Sequence, residues 1–212
     1  MKTSILKHAR TASTVIIILL FSISLWQLAA AGWIQGKAII AQQLLNHAWN
    51  RTLISPENSA SSNFKTSTHR ASVHRPWPWA DTWPVAKLIV PQLGIEQIIL
   101  AGDSGSSLAF GPGHSMASAE PNTPGTTLIS GHRDTHFRFL NELKINDVIY
   151  MQTTEKKTRY RVYDLQIVNS EPYILKPEPD GRTLVLATCY PFNDITSGNS
   201  SRYLVFAGAD DI

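Results

Sequence analysis

The chain has 212 residues, enough for one domain with an ordinary buried core plus appendages, and its formal net charge is +3. The basic excess is confined to residues 1–75, where eight Lys or Arg stand against one acidic residue, whereas residues 76–212 carry eleven against fifteen. The second part is mildly acidic and has no basic stripe with interleaved aromatics. The basic net charge of the chain therefore gives no support for nucleic-acid binding.

The first pattern along the chain is an apolar segment near the N-terminus. No charged residue lies between Arg10 and Lys37, and residues 14–34 are long enough to cross a bilayer as a helix. Basic residues precede this segment, which predicts a cytoplasmic N-terminus at 1–13 and export of the remainder. A cleavable signal peptide is the alternative, because the alanines at 29–31 resemble a cleavage site. We favour a retained signal anchor, since the apolar stretch exceeds the usual core of a signal peptide.

Residues 35–75 predict a juxtamembrane helix followed by a polar stalk. Apolar side chains recur at helical spacing with glutamine and asparagine between them, at Ile39, Ile40, Leu44, Leu45 and Trp49. This helix is expected to lie on the membrane or against the domain. The stretch from 55 to 75 is polar and has no hydrophobic period, which is typical of a flexible stalk. The folded domain is therefore expected at 76–212.

From residue 85 onward the chain alternates short apolar runs with turns rich in glycine and proline. These runs predict strands at 85–90, 95–100, 126–130, 148–152, 159–168, 183–188 and 202–207. One short helix is expected at 137–143. Many short strands with this punctuation indicate an antiparallel barrel or sandwich.

Three reactive residues stand at the ends of these predicted strands. Cys189 closes one strand and is the only cysteine, so in an exported protein it is a buried inert thiol, an intermolecular bridge or a reactive group. His132 follows a strand that ends in Gly131, a residue that permits a sharp turn of the backbone. Arg202 opens the last strand. Together they supply a nucleophile, a proton carrier and a cationic stabiliser of an oxyanion, as acyl transfer requires.

Each of these residues also has a simpler interpretation. His132, Asp134 and His136 alternate, so in an extended segment they would share one face and could bind a metal ion. The single cysteine and the lack of a second histidine pair argue against that site, and we predict no metal. His132 could be structural, and Arg202 could be an ordinary edge-strand arginine.

The arrangement of these residues resembles that of the sortases, which are membrane-anchored cysteine transpeptidases. A cysteine closes a strand as Leu186-Ala187-Thr188-Cys189, an arginine opens the next strand, and a Gly-His pair lies upstream. Residues 131–137 (GHRDTHF) and 187–192 (ATCYPF) look like the subgroup found in marine and other Gram-negative proteobacteria, class GN. The resemblance covers the whole exported domain.

The resemblance implies a mainly β fold, a closed eight-stranded sortase-type barrel with short helices after an N-terminal transmembrane helix. It implies that Cys189, His132 and Arg202 form the catalytic set and that no cofactor is needed. Cys189 would attack the Thr-Gly bond of an LPXTG-like C-terminal sorting signal and form a thioester. Arg202 would steady the oxyanion, and His132 would protonate the leaving amine and later deprotonate the amine or water that resolves the thioester.

The resemblance also implies a substrate site and partners. Thr188 is similar to a family residue that contacts the substrate, and Tyr173, Ile174 and Leu175 would form the pocket for the leucine and proline. Some sortases bind calcium through an acidic loop before the histidine, but here the loop at 115–124 has only Glu120, so calcium is not expected. The expected partner is an exported protein with an LPXTG-like signal, such as one with a von Willebrand factor A-type domain. The expected location is the inner (cytoplasmic) membrane, crossed once, with the domain on the periplasmic side.

Two alternative functions stay open. The domain could be a catalytically silent, membrane-tethered barrel that binds sorting-like peptides without cleaving them. An L,D-transpeptidase also uses an exported cysteine and histidine, but its signature places an arginine two residues after the cysteine, where this chain has Pro191.

Overall fold

The protein is described here by a computed structural model that covers residues 2–54, 74–169, 181–193 and 200–210. The contacts within the chain divide it into two compact units, Met1–Gln42 and Gln43–Ile212. The stalk expected at 55–75 and the Tyr173–Leu175 segment fall wholly or mostly outside the described residues.

One long helix, α1 (Lys2–Ile54), begins in the first unit and ends in the second. In the first unit its described apolar side chains between residues 17 and 33 are exposed, among them Ile17, Ile18, Leu19, Leu20, Phe21, Ile23, Leu25, Trp26, Leu28 and Trp33. Within the described residues, no helix is long and apolar enough to cross a membrane. The transmembrane segment expected at 14–34 is therefore not confirmed.

In the second unit, the C-terminal part of α1 packs against the domain. Leu45 and Trp49 are buried in one cluster with Ile98 and Leu100, and Leu53 packs at its margin. Leu45, Trp49 and Leu53 recur every four residues and so share one helical face. Of the two positions expected for this helix, the structure shows contact with the domain.

Eight strands form a closed barrel. They are β1 (Pro84–Val90), β2 (Ile95–Ala101), β3 (Gly113–His114), β4 (Gly125–Ser130), β5 (Val148–Gln152), β6 (Lys157–Asn169), β7 (Arg182–Cys189) and β8 (Ser201–Ala209). Their order around the barrel is β1-β2-β3-β4-β7-β8-β6-β5. The short helices are α2 (Gly105–Leu108) and 3-10 turns at Pro91–Leu93 and Arg138–Glu142. The eight-stranded barrel with short helices is confirmed.

The barrel differs from the expected antiparallel arrangement in two places. β2 pairs with β3 in parallel, and β4 pairs with β7 in parallel, while the remaining pairs are antiparallel. The parallel β4–β7 pair matters for function, because both strands then end at the same edge of the barrel. The core lies inside the barrel, where alternate strand residues such as Leu88, Ile129 and Leu186 are fully buried.

Candidate active site

The registers of β4, β7 and β8 bring the three reactive residues to one edge of the barrel. Ser130 of β4 lies beside Ala187 of β7, so His132 and Cys189 each come two residues later. On the other side of β7, Cys189 lies directly opposite Arg202 of β8. Adjacent strands are about 5 Å apart. His132, Cys189 and Arg202 therefore form a row across three neighbouring strand ends, called here the strand-end row.

The three side chains of the strand-end row share the outer face of the barrel wall. Ile129, Leu186 and Val205 point into the core. Successive strand residues alternate between the two faces. Cys189 lies three residues from Leu186 and Arg202 three residues from Val205, so both are on the outer face. If β4 continues in extended form, His132, three residues after Ile129, is on the outer face too. Cys189 is a free, exposed thiol, His132 is exposed, and Arg202 is half-buried with Nη1 donating to the Ser201 carbonyl at 3.0 Å. The thiol is open to a substrate.

Gly131 holds His132 in place for a reason other than the expected one. Its φ is not among the positive values of the described residues, so the sharp left-handed turn is not what requires glycine. Instead, a Cβ at this position would lie 2.7 Å from the ring of Phe137. The buried Phe137 also donates its backbone N–H to the His132 carbonyl at 3.0 Å. Glycine is required because an aromatic ring packs directly on the backbone before the histidine.

Thr188 ties the cysteine strand to the histidine segment. The residue is buried, and its Oγ1 donates to the Gly131 carbonyl at 2.7 Å, next to the bond from Gly131 N–H to the Ala187 carbonyl at 3.1 Å. This places a bracing contact one residue before both Cys189 and His132. Contact of Thr188 with substrate stays a prediction.

Arg133 is the site residue that the sequence interpretation missed. Its guanidinium donates from Nη1 to the Pro191 carbonyl at 2.6 Å and from Nε to Asp134 Oδ1 at 2.8 Å. The side chain is only 11% exposed. It therefore connects the turn after the histidine to the segment after the cysteine. The available signal was an Arg-Asp pair placed directly after a strand-end histidine.

The possible metal site is not supported. Among the described residues, no group of three His, Cys, Asp or Glu side chains could hold a metal ion. The hydrogen bond from Arg133 is the main cause that holds the pKa of Asp134 below its ordinary value. Burial, and then the charge of His132, lowers the pKa of His136. Asp134 is thus paired with an arginine instead of presenting both oxygens to a cation.

Apolar side chains continue from the strand-end row along the outer face of β4, β7 and β8. Val185 and Leu204 are buried although they alternate with core residues, and Leu128 is half-buried. Val185 and Leu204 are thus already covered by other parts of the chain, and with Leu128 they form an apolar floor beside the exposed thiol. The Tyr173–Leu175 segment, expected to line this site, lies outside the described residues.

Comparison with known proteins now identifies the family. A sortase-domain family model matches residues 88–210. The chain belongs to the sortase family. Sortase D of Bacillus subtilis (strain 168) is 31% identical over 121 residues, which is 56% of this chain and 60% of that relative. The match thus spans less than two thirds of the relative's length.

Solved sortase structures share the barrel. Sortase A from Corynebacterium diphtheriae is 25% identical, with a TM-score of 0.57 over 81% of this chain and 85% of that one. A Clostridium perfringens Sortase D5 transpeptidase is 24% identical, with a TM-score of 0.54 over 61% of this chain and 80% of that one. The family assignment drawn from the sequence is confirmed. Membership of the proteobacterial subgroup stays a prediction.

Proposed function

We propose that this sortase is a cysteine transpeptidase that cleaves an LPXTG-like C-terminal sorting signal between Thr and Gly. The observation that carries the proposal is the strand-end row, in which the exposed Cys189 lies between His132 and Arg202. The Cys189 thiolate attacks the threonine carbonyl carbon, a C–S bond forms and the C–N bond to glycine breaks. His132 gives its proton to the departing amine. Arg202, a permanent cation, stabilises the oxyanion formed on the way.

The second half of the reaction restores the thiol. An amine or water attacks the thioester carbonyl carbon, and the C–S bond breaks as the new C–N or C–O bond forms. His132 accepts the proton that the nucleophile loses and returns it to the cysteine sulfur. No oxidant, metal or cofactor enters this balance.

The apolar outer face supports a peptide substrate. The floor formed by Leu128, Val185 and Leu204 begins at Leu204, two residues from Arg202 of the strand-end row, and an extended peptide bound at Cys189 runs along it. Burying the leucine and proline of the signal there contributes about 25 cal/mol for each Å² of apolar surface removed from water. Tyr173, Ile174 and Leu175 complete this pocket in the proposal.

We further propose that the enzyme is anchored in the inner membrane by its N-terminal segment, with the barrel on the periplasmic side. Support comes from the described part of α1 between residues 17 and 30, where large apolar side chains are exposed around the helix. A helix that is apolar all round needs an apolar environment. The substrate is then an exported protein with a C-terminal signal, for which a von Willebrand factor A-type protein is the proposed partner.

Intact mass spectrometry tests the chemistry. The full chain in detergent is incubated with an LPXTG-type peptide beside Cys189→Ala. We expect a mass gain equal to the fragment ending at Thr, absent in the variant and reversed by hydroxylamine, which cleaves thioesters. Binding of uncleaved peptide by both proteins would instead support the silent barrel. His132→Asn and Arg202→Gln should each lower the acylation rate by a factor of about 100 or more.

A further inference from the structure

A polar pocket lies on the histidine side of the strand-end row. It has a volume of about 210 Å³ and is lined by Arg133, Asp134, Arg138, Asn141, Phe192 and Asn193. The hydrogen bond from Arg133 to the Pro191 carbonyl joins the two segments that form its walls. The mechanism above uses none of these side chains.

The charges of this polar pocket favour an anion. Two guanidinium groups face one carboxylate, and Arg133 already binds both oxygens of Asp134, at 2.8 and 3.2 Å. Arg138 is exposed and adds a second positive charge, which also contributes to the lowered pKa of Asp134. Asn141 and Asn193, both exposed, offer amide donors. The planar fork of an arginine matches the two oxygens of a carboxylate.

The position of the polar pocket connects it with the second half of the reaction. Arg133 and Asp134 follow His132 directly, so their Cα atoms lie within about 8 Å of the histidine Cα. The apolar floor under the sorting peptide extends from the row along β4, β7 and β8 instead. A nucleophile that gives its proton to His132 must contact this histidine. Its next functional group then falls within reach of the polar pocket.

We propose that the polar pocket binds the carboxylate of the acceptor, so that this sortase prefers an amine carrying a carboxylate one or two residues away. The inference rests on the proposed transpeptidase function. Arg138 is the residue that recognises the carboxylate, and Arg133 is a positioning residue that builds the wall. In the step itself the acceptor, as a neutral amine, attacks the thioester carbon. A C–N bond forms, the C–S bond breaks, and the amine proton passes through His132 to the sulfur.

A competition between acceptors tests this selectivity. The full chain, acylated with an LPXTG-type peptide, receives glycylglycine or glycylglycinamide at equal concentrations of unprotonated amine. We expect glycylglycine, which carries the free carboxylate, to react about tenfold faster than glycylglycinamide, because one charge-assisted hydrogen bond can account for a difference of this size. Arg138→Gln, measured on the preformed acyl-enzyme, should reduce this preference to about twofold or less. Arg138→Lys should keep part of the preference.

A matched control and an independent binding measurement keep the test decisive. Lys144→Gln removes an exposed positive charge that does not line the polar pocket, and should leave the preference unchanged. In Cys189→Ala, which cannot be acylated, glycylglycine should shift the NMR signals of the Asn141 and Asn193 side-chain amides. In the double variant that also carries Arg138→Gln, this shift should be absent. Equal use of both acceptors, or a preference that survives Arg138→Gln, would overturn the inference. The absence of any acyl-enzyme would show separately that the transpeptidase proposal is wrong. If no acyl-enzyme forms, the NMR measurement still tests the pocket, and an absent amide shift would overturn the inference.

Discussion

The two flanks of Cys189 are held in different ways. On one flank, Arg202 is part of β8 and is paired on both sides, with Cys189 of β7 and with Val168 of β6. On the other flank, His132 lies beyond Ser130, the last paired residue of β4. Its position depends on the ring of Phe137, the hydroxyl of Thr188 and the guanidinium of Arg133.

This difference indicates where the site is vulnerable. A β-ladder distributes the restraint on Arg202 over many backbone hydrogen bonds, so no single side chain near it decides its place. The histidine flank concentrates the restraint in a few side-chain contacts. Single substitutions should therefore disturb the histidine flank far more than the arginine flank.

The largest effect is expected from Gly131→Ala. The new Cβ would meet the Phe137 ring at 2.7 Å, so the ring or the histidine segment must move. We expect a loss of ~1–3 kcal/mol in unfolding free energy and a roughly hundredfold lower acylation rate. Chemical denaturation and acylation kinetics measure both. Gly181→Ala is the control, because nothing lies within 4 Å of its added Cβ. A Gly131→Ala enzyme with the wild-type rate would show that the ring yields without moving His132.

Arg133→Gln should have the next largest effect. It removes the charged hydrogen bond to the Pro191 carbonyl, and hydrogen bonds to charged groups contribute about 1.5–3 kcal/mol. If this energy positions the site, its loss lowers the acylation rate about tenfold or more. We expect kcat for acylation to fall with KM for the peptide unchanged, and Arg133→Lys to restore part of kcat. Arg161→Gln, which breaks a surface pair with Asp210 toward the opposite end of β6 from Arg202, is the control. An equal fall in both arginine variants would indicate a general loss of stability.

Thr188→Val should have a moderate effect. The substitution keeps the shape of the side chain but removes the hydroxyl that donates to the Gly131 carbonyl, at a cost of about 1 kcal/mol. Acylation should slow by a factor of about 3–5. Tyr203→Phe changes the register partner of Thr188 on the arginine flank and should leave the rate unchanged. A reversed order of the two variants would contradict the comparison between the flanks.

The smallest effect concerns pH and stability. Burial and the charge of His132 lower the pKa of His136 below its ordinary value of 6.5, so the unfolded chain takes up this proton at higher pH than the folded chain. The free energy of unfolding should therefore decrease as pH falls below 6.5 and through the folded-state pKa. Urea denaturation above and below pH 6.5 measures this slope. His136→Asn should reduce the slope; an unchanged slope would assign it to other groups.

Much of the barrel could be predicted from local patterns. Every strand except β3 is long enough to show alternation. For these seven strands, the predicted ends differ from the observed ends by no more than two residues. β3 has two residues and α2 has four, too few to show a hydrophobic period. Parallel pairing of β4 with β7 could not be predicted either, because alternation identifies a strand without naming its neighbour.

The sequence by itself determined the reactive residue types, their places at strand ends and the family, since motifs and strand patterns are local properties of the chain. The tertiary structure alone decided that His132, Cys189 and Arg202 stand in one row, because strand order and register join distant segments. It also decided that Phe137 requires Gly131 and that Arg133 reaches Pro191. Those contacts depend on how the chain returns to itself in space, which no local pattern encodes.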